Sequence, residues 1–237
     1  MNFNIAEINI ALAIVWYVVF IASLTFHEAA HAFVALKFGD TTAYYQGQVT
    51  LDPVPHIRRS PFGMVIVPII SYILGGWMIG WASAPYDPYW EDRNRRKAAL
   101  MALAGPAANL ALILLAALCI RGGMLLGYFH APEQITFNRV TAAEPGFANS
   151  ISILLSILFS LNIVLLVFNL IPLPPLDGSS IVTFFLSDYT ARRYNAAIQQ
   201  PSYRLIGLVV AWHIVGFILG PVHTTALNIL YPGAGYH

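Results

Sequence analysis

Charge is scarce in this chain, and that scarcity excludes an ordinary soluble domain before any motif is considered. Only 10% of its 237 residues are Asp, Glu, Lys or Arg and 58% are hydrophobic, where a soluble domain carries roughly 25% charged residues. The composition is that of an integral membrane protein. Cysteine is almost missing: Cys119 stands alone in an apolar run, which excludes an internal disulfide framework and any CxxC metal site and leaves a small buried or lipid-facing residue. There is no long basic block and the formal net charge is +1, so nothing points to nucleic acid as a partner. No Lys or Arg precedes the first apolar run, so the opening residues are expected to be a retained first span rather than a removable signal peptide. No internal repeat is evident either.

What the chain does have is apolar length. Stretches of roughly 17–25 apolar residues, the length that crosses a bilayer as a helix, lie near 8–36, 61–82, 98–120, 150–171 and 203–222. A shorter piece from Ser179 to Leu186 is too short to span alone and can only continue a helix begun at the preceding Pro-rich turn. The expected architecture is an all-α polytopic membrane protein of five to six transmembrane segments. Between the first two spans, Thr41 to Leu51 is rich in β-branched and aromatic residues and is followed by Asp52-Pro53, which predicts a short membrane-associated β region of one or two strands. Such a region could hold an extended peptide by strand addition. The chain reads as a single domain over 1–237, with a core at 8–187 and an additional C-terminal span at 203–222.

Arg93, Arg95, Arg96 and Lys97 follow the Pro- and aromatic-rich stretch Ala84 to Trp90 and read as an interfacial anchor for lipid headgroups. Orientation is balanced. With the N-terminus, 83–97 and 187–204 on one side, that side carries seven Lys/Arg against five in 37–60 and 121–149. The 121–149 loop contains no recognisable motif.

The chemistry begins at His27-Glu28-Ala29-Ala30-His31, which closes the apolar run from Ile10 to Phe26. Histidines at i and i+4 project from one face of a helix, so both imidazoles can reach one Zn²⁺ while the carboxylate beside them handles a proton. A carboxylate at the centre of a bilayer costs roughly 2.5–3.5 kcal/mol on insertion scales, so an intramembrane Glu flanked by two His points to function. A zinc hydrolase needs a third protein ligand and an open position. The extended HExxHxxGxxH pattern fails, because Lys37 occupies the position six after His31, and Glu7, Glu91, Glu133 and Glu144 fall in tails or loops. Asp177 remains as the best candidate, in Asn169-Leu170-Ile171-Pro172-Leu173-Pro174-Pro175-Leu176-Asp177-Gly178. Three prolines there break the helix, and irregular backbone at membrane depth must line a polar cavity or be buried in protein. A solvated Asp177 at a surface turn is the competing reading. Among the other histidines, His56 is expected in a surface turn, His213 and His223 lack i, i+4 spacing and read as structural or interfacial, and His130 and His237 are loop and tail residues.

HExxH in one apolar span, together with the N-x-x-P-x-P-P-L-D-G segment about 140 residues later, resembles the site-2 protease family of intramembrane zinc metalloproteases. Gly105-Pro106-Ala107-Ala108-Asn109, expected to open the third span, is similar to that family's G-P-x-x-N element. The resemblance covers about 20–187 and includes Gly39-Asp40, Leu51-Asp52-Pro53, His56-Ile57 and Gly80-Trp81-Ala82, as in compact members without an inserted soluble domain. It implies one Zn²⁺ per chain held by His27, His31 and Asp177, with Glu28 as general base and Asn169 orienting substrate or supporting the oxyanion. The implied activity is zinc-dependent endoproteolysis in or near the transmembrane segments of membrane proteins, in regulated intramembrane proteolysis. The implied partners are a transmembrane protein or peptide substrate and the lipid bilayer, with a homo-oligomer or an adaptor protein left open, and the implied location is a prokaryotic cell membrane. Arg58-Arg59-Ser60-Pro61 and Ala84 depart from the pattern of compact members, which leaves substrate preference unread. Two other readings of the same residues are a membrane metal-ion transporter and a non-catalytic metal-binding membrane protein; an intact base argues against the latter.

Overall fold

The computed structural model describes residues 9–198 and 200–236. Glu7, His237 and the first residue of the expected 8–36 span lie outside them. Helix α1, Ile10–Lys37, opens with the side chain of Asn9 accepting from the Leu12 N–H at 3.0 Å and carries Lys37 in its last turn. Both ends follow capping chemistry: a polar side chain satisfies a free N–H at the start, and a cation sits near the carbonyl-rich end. At 1.5 Å per residue its 28 residues reach about 42 Å, longer than the roughly 30 Å apolar layer.

Residues 41–51 differ from the expectation. Among the described residues there is no β-strand, only isolated bridges at His130–Ala142 and Thr136–Arg139. The segment instead forms a one-turn helix, α2, Thr42–Tyr45, followed by turns. Asp40 Oδ1 accepts from both the backbone N–H and the hydroxyl of Thr42, at 2.9 and 2.6 Å, which winds the chain into a turn. β-Propensity has no effect where no partner strand offers a ladder. Helix α3, Pro53–Arg59, follows, capped by Asp52 on the Val54 N–H at 2.9 Å.

The expected span at 61–82 is also different. A π turn at Phe62–Ile66 continues into α4, Val67–Gly75, bent 112° from α3. Tyr72 reaches the N-terminal end of α1, donating from its hydroxyl to Asn9 O at 3.3 Å. The chain then reverses at Gly76 and returns without regular structure, with Ile79 N–H on Ser71 Oγ at 3.0 Å and Trp81 N–H on Gly63 O at 3.2 Å. It ends back at the other end of α1, where the Asp87 N–H donates to Asp40 Oδ2 and Arg59 to Ser83 O, both at 2.9 Å. The segment is a hairpin that enters and leaves at one end of the bundle.

After α5, Pro88–Arg93, come the long helices α6, Arg95–Leu125, and α7, Phe147–Leu170. A short α8, Asp177–Val182, runs into a 3₁₀ turn at Thr183–Phe185 and is followed by α9, Asp188–Ile198, and α10, Pro201–Leu230. Among the described residues four helices, α1, α6, α7 and α10, are long and apolar enough to cross a membrane, and the bent α3–α4 pair makes at most a fifth. The Ser179–Leu186 piece adds none, since it is one short helix and a 3₁₀ turn.

α1, α6 and α7 pack as an antiparallel trio, with α10 against α7. Trp16, Phe20 and Leu24 of α1 pack with Met64 and Tyr72 of the hairpin and with Ile157 and Leu161 of α7. Ile113 and Ile120 of α6 pack with Phe159 and Ile163 of α7 and with Leu227 and Leu230 of α10. This arrangement brings 37–60, 83–97 and 187–204 to the same end, opposite the N-terminus of α1, because the hairpin does not carry the chain across. The balanced charge count is thereby replaced by an asymmetric one. Ten of the twelve Lys and Arg, namely Lys37, Arg58, Arg59, Arg93, Arg95, Arg96, Lys97, Arg192, Arg193 and Arg204, lie at that end, with Arg121 and Arg139 at the other.

Candidate metal centre

The HEAAH pentapeptide lies within the last three turns of α1, so His27 and His31 stand one above the other on the face that meets α6. Their Nε2 atoms are 3.0 Å apart. Asp177 opens α8 just after the segment in which Pro172, Pro174 and Pro175 have ended α7. Its Oδ2 lies 3.2 Å from His27 Nε2 and 3.4 Å from His31 Nε2. These three residues are the cluster of candidate metal ligands among the described residues. Zinc bonds near 2.05 Å in a tetrahedron place neighbouring donors about 3.3 Å apart, so the three distances outline one tetrahedral face.

Hydrogen bonding shows why the donors face one another. His31 Nδ1 lies 2.7 Å from Met101 O, and a carbonyl only accepts, so Nδ1 carries the proton and Nε2 presents a lone pair. His27 Nδ1 likewise lies 2.7 Å from Asn109 Oδ1. As neutral imidazoles with their protons on Nδ1, both histidines turn an Nε2 lone pair toward the carboxylate oxygen of Asp177. Asp177 Oδ2 is correspondingly a buried atom without a hydrogen-bond partner. Three acceptors facing one another repel, and a divalent cation resolves that. The residues therefore fit Zn²⁺: two nitrogens and one oxygen, each histidine braced through its other nitrogen.

Three further features shape the site. Gly105 of α6 sits against the imidazoles so tightly that a Cβ there would overlap both His27 and His31. Pro106 lies well inside α6 rather than opening it, because the helix begins at Arg95. Lacking an N–H it cannot bond Ala102 O, which loosens the ladder next to the Met101 carbonyl that holds His31. Glu28, 5% exposed, follows His27 directly on α1 and is buried beside the two imidazoles.

The structure brings His27, His31 and Asp177 together and places Asn109 behind His27. Asn169 is half-buried near the end of α7, donating from Nδ2 to Leu165 O at 3.0 Å and keeping one amide proton free. His56 is buried rather than in a surface turn, 1% exposed with Nε2 against Thr50 O at 3.1 Å, because the turns after α2 fold over it. His223 packs under Ser160 and Phe137, a structural placement. Sequence reasoning missed Ser23 and Asn162, both fully buried beside the centre. Their polarity inside apolar runs was the signal available.

The profile of peptidase family M50 matches residues 15–213, most of the chain and every residue of the cluster. The chain belongs to peptidase family M50. This bears out the resemblance to site-2 proteases carried by HExxH and the Asp177 segment. Among similar proteins, "Putative zinc metalloprotease YwhC" of Bacillus subtilis is 38% identical over 163 residues, covering 68% of this chain and 64% of that protein. "Putative zinc metalloprotease Rip2" of Mycobacterium tuberculosis is 32% identical over 205 residues, covering 86% of this chain and 69% of that protein. The match thus spans just under two thirds of the Bacillus relative. No solved structure matches this M50 chain.

Proposed function

We propose that this M50 protein is a zinc-dependent intramembrane endopeptidase that hydrolyses peptide bonds in or near transmembrane segments of membrane proteins, as a step of regulated intramembrane proteolysis in a prokaryotic cell membrane. One observation supports the reading: the ligand atoms of His27, His31 and Asp177 converge beside the buried Glu28, among helices long enough to cross a bilayer. His27, His31 and Asp177 hold the metal. Bound there, Zn²⁺ supplies Lewis acidity, polarising the scissile carbonyl and making a water molecule acidic near neutral pH.

Glu28 removes the proton from the attacking water and passes it to the nitrogen of the leaving amine, so one group serves both halves of the hydrolysis. Asn169 donates its free amide proton to the carbonyl oxygen as negative charge develops. A substrate helix must unwind locally before its peptide bond is accessible, because its own hydrogen bonds shield it. An apolar cleft of about 480 Å³ lies between α1 and α6, lined by Phe26, Ala29, Ala30 and Phe33 on one side and Ala108 and Leu112 on the other, with Val49 to Leu51 at its edge. It lies against the helix that carries HEAAH and offers a lateral path for an apolar segment.

The test is cleavage of a detergent-solubilised transmembrane peptide by the wild type and by Glu28→Gln. The wild type should cleave, and Glu28→Gln should retain zinc while losing turnover, since a ligand set needs no base. Wild-type protein that holds zinc, cleaves no such peptide and conducts zinc across liposomes would establish a transporter instead.

A further inference from the structure

We infer that Asn162, at the middle of α7, is a positioning residue of the metal centre, fixing the tautomer of His27 through Asn109. An amide side chain can point either way, and its orientation is read from its partners. Here one partner removes the ambiguity. Asn162 lies 2.8 Å from Leu158 O, which can only accept, so the atom facing it is the donating Nδ2. The second proton of that nitrogen goes to Ser23 Oγ at 2.9 Å. Oδ1 of Asn162 therefore faces α6, where it accepts from Asn109 Nδ2 at 2.9 Å. That leaves Asn109 Oδ1 facing His27 Nδ1 at 2.7 Å. An amide oxygen accepts, so the imidazole proton sits on Nδ1.

The polarity of the whole chain is thus set by one backbone carbonyl, two helices away from the histidine it controls. The network closes on itself, since Ser23 lies one turn before His27 on α1. Ser23, Asn109 and Asn162 are fully occluded and His27 is 4% exposed, so no water competes for these bonds and reversing any one strands a buried polar group.

The consequence lies at Nε2. With its proton on Nε2, His27 would donate to Asp177 Oδ2, 3.2 Å away, and the pair would satisfy itself without a cation. With the proton held on Nδ1 that closure is unavailable, and the two atoms remain lone-pair donors. Asn162 keeps the metal-free site open to metal. Residues that orient a liganding histidine through its second nitrogen typically contribute about 10–100-fold to metal affinity.

The inference rests on the metal centre proposed above, but its test reads affinity and tautomer rather than proteolysis, so the two can fail separately. Zinc affinity is measured by chelator competition on the full chain in nanodiscs, for Asn162→Leu and for Ser23→Ala. Asn162→Leu should bind zinc about 10–100-fold more weakly. Ser23→Ala removes the α1–α7 bond of the network but leaves the Leu158 carbonyl to set the polarity, so its affinity should stay within about threefold of wild type. ¹⁵N spectra of histidine-labelled, metal-free protein should show His27 protonated at Nδ1 in the wild type and in Ser23→Ala, and partly at Nε2 in Asn162→Leu. Equal losses in the two variants would reduce Asn162 to a packing residue and overturn the inference. If Asn162→Leu does not fold, the wild-type spectrum decides, because a mainly Nε2-protonated His27 contradicts the network outright.

Discussion

Gly105 shows how narrow the tolerance around the histidines is. A single methyl at its Cα would overlap the imidazoles of both His27 and His31, and neither ring can retreat without leaving Asn109 or the Met101 carbonyl. Gly105→Ala should therefore displace the ligands rather than merely crowd the core. A displacement near 1 Å is enough to cost about 10² in rate, so cleavage should fall at least that far and zinc content with it. Asn169→Ala should behave differently. It removes the donor proposed for the developing charge, and loss of such a donor typically costs about 10²–10³ in rate, while zinc content measured by atomic absorption should stay at the wild-type level. Equal loss of zinc in that variant would count against the assigned role. At this scale the sequence is most legible where ligands are contiguous. HEAAH announces itself because helix geometry converts i, i+4 into one face, whereas Asp177 stands out only as an acidic residue on a broken segment. Asn162 contacts Asn109 at a separation of 53 positions in sequence, and no local pattern encodes that contact.

α8 is six residues long, too short to hold Asp177 in place by itself, so its position depends on what grips either end. At the far end Arg95, on the first turn of α6, donates to the carbonyls of Thr183 and Leu186 and to the carboxylate of Asp188. The ion pair is the lesser part of that clamp, since Asp188 is 83% exposed and exposed pairs contribute roughly 0–1 kcal/mol. The charged donor on half-buried carbonyls is worth more, roughly 1.5–3 kcal/mol per bond. Asp188→Ala should leave the thermal midpoint in detergent nearly unchanged, and Arg95→Ala should lower it and weaken zinc binding together. Comparable behaviour of the two variants would show that the clamp acts only through the ion pair. Elements were legible where composition and direction coincide: α1, α6, α7 and α10 lie where long apolar runs predict. The 61–82 run was misread because hydropathy reports how apolar a segment is, not whether it comes out on the far side, and the reversal at Gly76 is a local event. Residues 41–51 were misread because strand formers need a ladder, and Asp40 supplied Thr42 with a turn instead.

Across the whole molecule, ten of the twelve basic side chains gather at the end nearest the metal centre, where α1 finishes and α6 begins. By the positive-inside rule that end is predicted to face the cytoplasm. A Cys119→Ser background carrying Glu144→Cys should react with an impermeant maleimide on intact cells, whereas one carrying Gln200→Cys should react only after permeabilisation. The reverse pattern would invert the topology. α10 adds a different constraint. It contributes no donor to the centre, yet Gly207 meets the carbonyl of Pro174 so closely that a Cβ would not fit between them, and Ala211 and Val215 pack on Ile171 and Leu176. The residues that do chemistry all precede position 187, but the wall against which the third ligand's segment is braced is built from 207–215. A chain ending at Ile198 would carry every motif intact and still present that proline-rich segment bare to lipid, so recombining these motifs with a foreign last helix would fail for want of a backing surface, not of a ligand.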